Sequence, residues 1–234
     1  MTLDNRTVIV TGAAGNLGKA VAQAFSDPGV NLVLVDLKRE SLASTFGSED
    51  AHRMFAPANL LEMSAATSMV HAALARYGRI DVLCNIAGGF RMGEMLHETS
   101  DENWDFLFDI NTRTLLHTVR AVVPHMLAAG AGKIVNVGAF AAQKGVAQMA
   151  AYTASKGTVI RMTEAMAAEL REKNINVNCV LPTIIDTPEN RAAMPKADPK
   201  KWVAPTDLAN VIVFLASDAA RAVHGAAVPV TSLS

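Results

Sequence analysis

"RTVIVTGAAGNLGKAVAQAF", residues 6–25, opens with apolar Val8, Ile9 and Val10 and reaches a turn carrying Gly12, Gly15 and Gly18. It then continues as an Ala-rich run with apolar residues at helical spacing. The order is strand, glycine turn, helix. Glycines at such a turn let the backbone bend tightly and come close to a pyrophosphate, whose charge then rests on the free amides and positive dipole end of the next helix. The spacing is not GxGxxG, so its position between strand and helix carries the signal. A second mark strengthens it. Asp36 ends the next apolar run, "NLVLVD", at 36 minus 18, or eighteen, positions past the last glycine. A carboxylate there accepts hydrogen bonds from adenosine ribose hydroxyls and repels a 2'-phosphate, favouring NAD (NADH) over NADP. Lys38 and Arg39 pull the other way, since either can swing toward a 2'-phosphate, so NADP stays possible. Both also read as solvated charges opening a helix.

Along the chain, "RTVIVTG", "NLVLVD", "HRMFAPA", "IDVLCNIAG", "KIVNVG", "INVNCVLP" and "AAVPV" alternate with longer helical patterns. This alternation predicts a parallel sheet with helices on both faces. The runs are apolar at nearly every position, as strands buried on both sides require. We therefore expect one α/β domain over residues 1–234, a doubly wound sheet of about seven strands, with no repeat and no linker. The irregular interval is Pro182 to Pro205, where five prolines and several charges follow the sixth strand. Ligands of doubly wound sheets bind beyond the carboxyl ends of the strands, so this interval is placed to cover a cleft as a substrate lid.

Bulk composition narrows the function classes. The chain has 234 residues, 50% of them hydrophobic, and a formal net charge of -1. That size supports a sizeable core, and the charge leaves no electrostatic footprint for nucleic acid or an anionic membrane. A small-molecule substrate is expected. Cys84 and Cys179 lie in strand-like runs away from any metal-ligand spacing and read as buried free thiols of a reducing compartment, with no metal site. No stretch reads as a secretory signal or membrane span, so a cytoplasmic location is expected.

The chemistry concentrates in "YTASK", where Tyr152 and Lys156 lie one helical turn apart and share a face. An ammonium there can lower the phenol's pKa, making Tyr152 the general acid or base.

With Gly12, Gly15, Gly18, Asp36, "CNIAGG" and "YTASK" in this order, the chain resembles the short-chain dehydrogenase/reductase family over essentially its whole length. The resemblance implies a Rossmann-type domain, NAD(P)-dependent oxidoreduction and a homodimer or homotetramer built through the helices around Asp101–Ala129 and Tyr152–Lys173. In that family a TGxxxGxG turn holds the pyrophosphate; Thr11, Gly12 and Gly18 match it, Asn16 replaces the middle glycine and Gly15 stands one place earlier. Asn59 and Leu60 fall where the family has an Asp and an apolar residue beside the adenine. Asn85 to Gly88 match its NNAG, and Thr187, after Pro182 and Thr183, matches a threonine that contacts the nicotinamide amide. The implied cofactor set is Gly12, Gly15, Asn16, Leu17, Gly18, Asp36, Leu37, Asn59, Leu60, Asn85, Ala87, Gly88, Tyr152, Lys156, Pro182 and Thr187.

The implied catalytic group is Tyr152, Lys156 and Asn111, the last in "FDINTRTLL" and matching an Asn that braces the Lys through a water and a helix distortion. The family's catalytic Ser is expected about thirteen positions before the Tyr, and 152 minus 13 is 139, which is Ala139. One branch, dihydropteridine reductase, is similar in having Ala there and in the segment Leu181 to Asp198. The C-terminal "ASDAARAVHGAAVPV" is instead similar to 3-oxoacyl carrier-protein reductases. These features suggest reduction of a quinonoid or conjugated acceptor that needs only one proton donor, with Phe90, Met95, Met194 and Trp202 as pocket walls. Two alternatives stay open: a carbonyl reductase in which Ser155, Thr153 or Gln143 replaces the lost hydroxyl, and a nucleotide-binding regulatory protein without turnover.

Overall fold

The computed structural model describes residues 5–234. Seven parallel strands form one sheet: β1 (Thr7–Thr11), β2 (Asn31–Asp36), β3 (Arg53–Pro57), β4 (Val82–Asn85), β5 (Gly132–Val137), β6 (Ile175–Pro182) and β7 (Ala227–Val230), in the order β3-β2-β1-β4-β5-β6-β7. Each apolar run quoted above became a strand. The order reverses between β1 and β4, whose neighbouring carboxyl ends open the crevice that doubly wound sheets use for ligands.

Residue alternation along each strand sorts the core into two layers. On β1, Ile9 joins the layer under α3 (Met63–Tyr77), α5 (Thr114–Ala129) and α6 (Ala150–Leu170). Val8 and Val10 point to the layer under α1 (Asn16–Ala24), α2 (Arg39–Phe46) and α8 (Pro205–Ala216). Because both faces are covered, β1, β4, β5 and β6 are buried at every position, which is why their sequences lack the half-polar alternation of a solvated sheet.

Two irregularities position the site. α4 (Asp101–Phe108), capped by the Ser100 hydroxyl, runs into α5 through a π-helical turn, Asp109–Arg113. Such turns re-aim side chains. The interval after β6 holds α7 (Pro188–Ala193) and is pinned at its base, where Asp186 N donates to Val203 O at 2.8 Å and Val203 N to Ile184 O at 2.9 Å. Among the described residues no helix is long and apolar enough to cross a membrane.

Candidate active site

The glycine turn works as the residue types require. Gly12 has φ +61°, and a Cβ on it would lie 2.9 Å from Ala87 Cα. A Cβ on Gly18 would lie 2.0 Å from Gly12 O. The start of α1 thus packs directly on the turn, and the turn on the end of β4. Gly15 precedes α1 in extended conformation with no side-chain cap, so the first amides of α1 face the crevice free for an anion. The Thr11 hydroxyl accepts hydrogen bonds from Ile86 N at 3.0 Å and Ala87 N at 3.1 Å, locking the β4 end against β1.

A cavity of about 940 Å³ runs along these ends, and Gly12, Gly15, Asn16, Leu17, Gly18, Asp36, Leu37, Asn59, Leu60, Ala87 and Gly88 all line it. Asp36 is fixed at its rim: Oδ2 accepts from Ala14 N at 3.0 Å and Oδ1 from Leu37 N at 2.8 Å. Each oxygen keeps a lone pair free. Arg39 points elsewhere, ion-paired with Glu49 and with its guanidinium over the Phe55 ring. Of the two cations that pulled toward a 2'-phosphate, one is therefore engaged.

Five expected cofactor residues do not line this cavity: Tyr152 and Lys156, which lie past Gly88, and Asn85, Pro182 and Thr187. The Asn85 side chain is buried in a polar chain that crosses beneath the crevice. Thr118 Oγ1 donates to Asn85 Oδ1 at 2.7 Å, Asn85 Nδ2 to Asn136 Oδ1 at 2.9 Å, and Asn136 Nδ2 to Thr163 Oγ1 at 2.9 Å. Strand alternation turns Asn85 away from the crevice, so it braces β4 and β5. Pro182 ends β6, and Thr187 caps α7, accepting from Asn190 N at 3.2 Å.

Past Gly88 two of the expected catalytic side chains, Asn111 and Lys156, converge, and Tyr152 stands one turn before Lys156 on α6. Asn111, in the π turn and buried, accepts from Gly89 N at 3.0 Å and donates to Gly89 O and Ser155 Oγ, each at 3.1 Å. The expected helix distortion is present, with the Asn111 amide clamping the Gly89 backbone to α6. Lys156 Nζ donates to Val137 O at 2.9 Å. Burial pulls Lys156 down to about 8, partly offset by the Cys179 sulfur. Tyr152 corrects the expectation of a phenol acidified by its lysine: burial pushes it up to about 12. The lysine's hydrogen bond goes to the β5 backbone, and the Phe90 ring stands edge-on against Tyr152 with centroids 4.8 Å apart. Burial also raises Cys179, to about 11, so this neighbouring thiol stays protonated.

Ala139 is buried and extended. Two of its three proposed stand-ins are spoken for: the Ser155 hydroxyl donates to Tyr152 O at 2.9 Å and the Thr153 hydroxyl to Met149 O at 2.9 Å. Gln143 is exposed, with its amide on Phe140 O at 3.3 Å. Among the suggested wall residues Phe90 and Met95 are open and Met194 half-buried, whereas Trp202 is buried.

A family model described as short chain dehydrogenase matches residues 6–198. D-threitol dehydrogenase of Mycolicibacterium smegmatis is 36% identical, covering 96% of this chain and 90% of its own. A 3-oxoacyl-(acyl-carrier-protein) reductase of Thermotoga maritima is 32% identical, covering 96% of both. Among solved structures, a 3-ketoacyl-(acyl-carrier-protein) reductase from Brucella melitensis complexed with NADH superposes with a TM-score of 0.88 at 26% identity, covering 99% of this chain and 98% of that one. A family match over residues 6–198 and relatives above 30% identity along nearly the whole length settle the class: the chain is an oxidoreductase belonging to the short chain dehydrogenase family.

Proposed function

We propose that this protein is an NADH-dependent reductase of a quinonoid or otherwise conjugated small molecule, with Tyr152 as its single side-chain proton donor. The cavity fits the cofactor. It joins uncapped helix amides for a pyrophosphate, a backbone cradle at Gly12 and Gly18 that a Cβ would fill, and the Asp36 carboxylate at the ribose end. When bound, NADH supplies a hydride. Asp36 would hold the adenosine ribose and exclude a 2'-phosphate, and Lys156, at the inner end beside Gly88, would hold the second ribose. The relative solved with NADH supports the same cofactor. A homodimer or homotetramer is consistent with Trp104, Phe106, Leu116 and Leu127, apolar side chains left open on α4 and α5. The two buried free thiols fit a cytoplasmic protein.

The observation that carries the substrate class is the donor inventory around Tyr152. Ala139 has no hydroxyl, and the hydroxyls of Ser155 and Thr153 are committed to helix carbonyls. Reduction of a ketone builds charge on one oxygen, and losing one preorganised donor costs about 10² to 10³ in rate. A conjugated acceptor spreads that charge over several atoms and needs one proton, which a phenol held protonated at about 12 can give. A second reading, reduction of a ketone with Gln143 as substitute donor, is favoured by the names of the relatives.

Steady-state NADH oxidation with quinonoid dihydropterin, simple quinones and a panel of ketones separates the readings. Preference for the conjugated acceptors is the expected result. Ketone turnover that disappears in Gln143→Ala would establish the second reading, and tight NADH binding without turnover would identify a regulatory protein.

Two variants test the cofactor site. In Asp36→Asn we expect NADH to bind about 10- to 100-fold more weakly, because charge-assisted hydrogen bonds to the ribose become neutral, while NADPH binding improves. Titration of both nucleotides checks it. In Gly88→Ala the new methyl carbon would sit 2.9 Å from Asn111 Oδ1 and 3.1 Å from Lys156 Nζ. Either side chain must move, so kcat/KM should fall about 10²-fold. A melting curve should show a loss of about 1–3 kcal/mol from overpacking.

A further inference from the structure

Asn16 occupies the place where the family's turn has a glycine, and its side chain reaches across the mouth of the cavity. Asn16 Nδ2 donates to Glu189 Oε2 at 2.8 Å, joining residues 173 positions apart. Glu189 stands in the first turn of α7, a short helix tied to the segment before it by several side-chain contacts. Arg191 makes a two-pronged ion pair with Asp186 at 2.6 and 2.7 Å, the Thr187 hydroxyl caps the helix, and Asn190 Nδ2 donates to Ile185 O at 2.8 Å. The helix therefore carries the Glu189 carboxylate as a unit. The carboxylate is held ionised: its own backbone amide and the Thr187 hydroxyl lower its pKa, with Asn16 adding to them.

Asn16 is also the first residue of α1, the helix whose uncapped amides form the anion site. A fixed negative charge thus sits beside the place where a dinucleotide's pyrophosphate must settle. We infer that the Asn16–Glu189 hydrogen bond is a gate on the cofactor cavity, holding α7 over the glycine turn in the free protein and setting a carboxylate against the incoming pyrophosphate. The inference rests on the dinucleotide reading above. Both partners are exposed, so the hydrogen bond is weak and the charge partly screened, and the gate tunes binding several-fold without blocking it. Its use would be to release cofactor quickly, a step that often limits turnover in enzymes with lids.

The test is NADH binding to the full chain, by fluorescence titration for Kd and stopped-flow displacement for the dissociation rate. Glu189→Gln keeps an oxygen for Asn16 and removes the charge; Glu189→Ala removes both. We expect the Kd for NADH to fall about 3- to 10-fold in Glu189→Ala and less in Glu189→Gln, with slower dissociation in both, and the gain to shrink in 0.5 M salt. Melting temperatures of the free variants should match wild type, since Glu189 is exposed. Wild-type binding with unchanged or weaker NADH affinity in both variants overturns the gate alone. No NADH binding by the wild type overturns both the gate and the cofactor reading.

Discussion

In Tyr152→Phe, kcat/KM for NADH-dependent reduction is expected to fall about 10³-fold while NADH affinity stays within about twofold. The phenol is the proton donor of the proposed reaction, one helical turn before Lys156 on α6. Its ring position is set independently of its hydroxyl by the edge-on Phe90 and by α6. Phe preserves that packing and removes the proton. Steady-state kinetics beside an NADH titration checks it. A pH profile adds a second test. With burial holding Tyr152 near 12 and Lys156 near 8, the phenol stays protonated through neutral pH, whereas the lysine loses its charge as pH rises through about 8. Wild-type kcat/KM should therefore decline above pH 8, and the residual activity of Tyr152→Phe should decline in the same way, because that limb belongs to Lys156.

Elements buried on both faces were legible in the sequence because burial leaves a local trace. Val8, Ile9 and Val10, like Leu32 to Val35, are apolar at consecutive positions for want of a solvent side. The glycine turn and Asp36 were legible because each needs one residue type at one place on a strand end. What stayed hidden depends on pairs far apart in sequence or on direction. Asn85 sits in the expected segment, yet alternation along β4 turns its amide toward Thr118 and Asn136. Arg39 could be weighed as a phosphate ligand only until the fold delivered Glu49 to it. Tyr152 and Lys156 lie one turn apart on α6, as their spacing implies, but the sign of the phenol's shift depends on burial and the lysine's bond goes to Val137 O, neither of which a spacing contains. The π turn was reached through the resemblance carried by "FDINTRTLL", since nothing in the periodicity of that stretch marks it.

Restoring a hydroxyl in Ala139→Ser should raise kcat/KM for ketones by about 10²-fold and change it less than about threefold for a quinonoid acceptor. The asymmetry follows from where charge develops. A ketone concentrates it on the oxygen being protonated, so a second donor fixed at the end of β5 acts mostly in the transition state and raises kcat. A conjugated acceptor carries the charge away from that atom, leaving the new donor little to stabilise. The neighbouring residue is no route to the same gain, because a Cβ on Gly138 would lie 2.7 Å from Leu181 Cδ2 and 3.0 Å from Cys179 Sγ. Ala139 itself already has a Cβ and an extended backbone that Ser adopts freely, so the variant adds one oxygen and asks for no change of conformation. Its melting temperature should stay close to wild type. Parallel kinetics on a ketone and a quinonoid substrate then read the difference directly. Equal large gains on both would mean that the natural acceptor also concentrates charge at its reacting atom, and the conjugated-acceptor reading would fall; a gain confined to ketones would show that the missing hydroxyl is a choice of substrate.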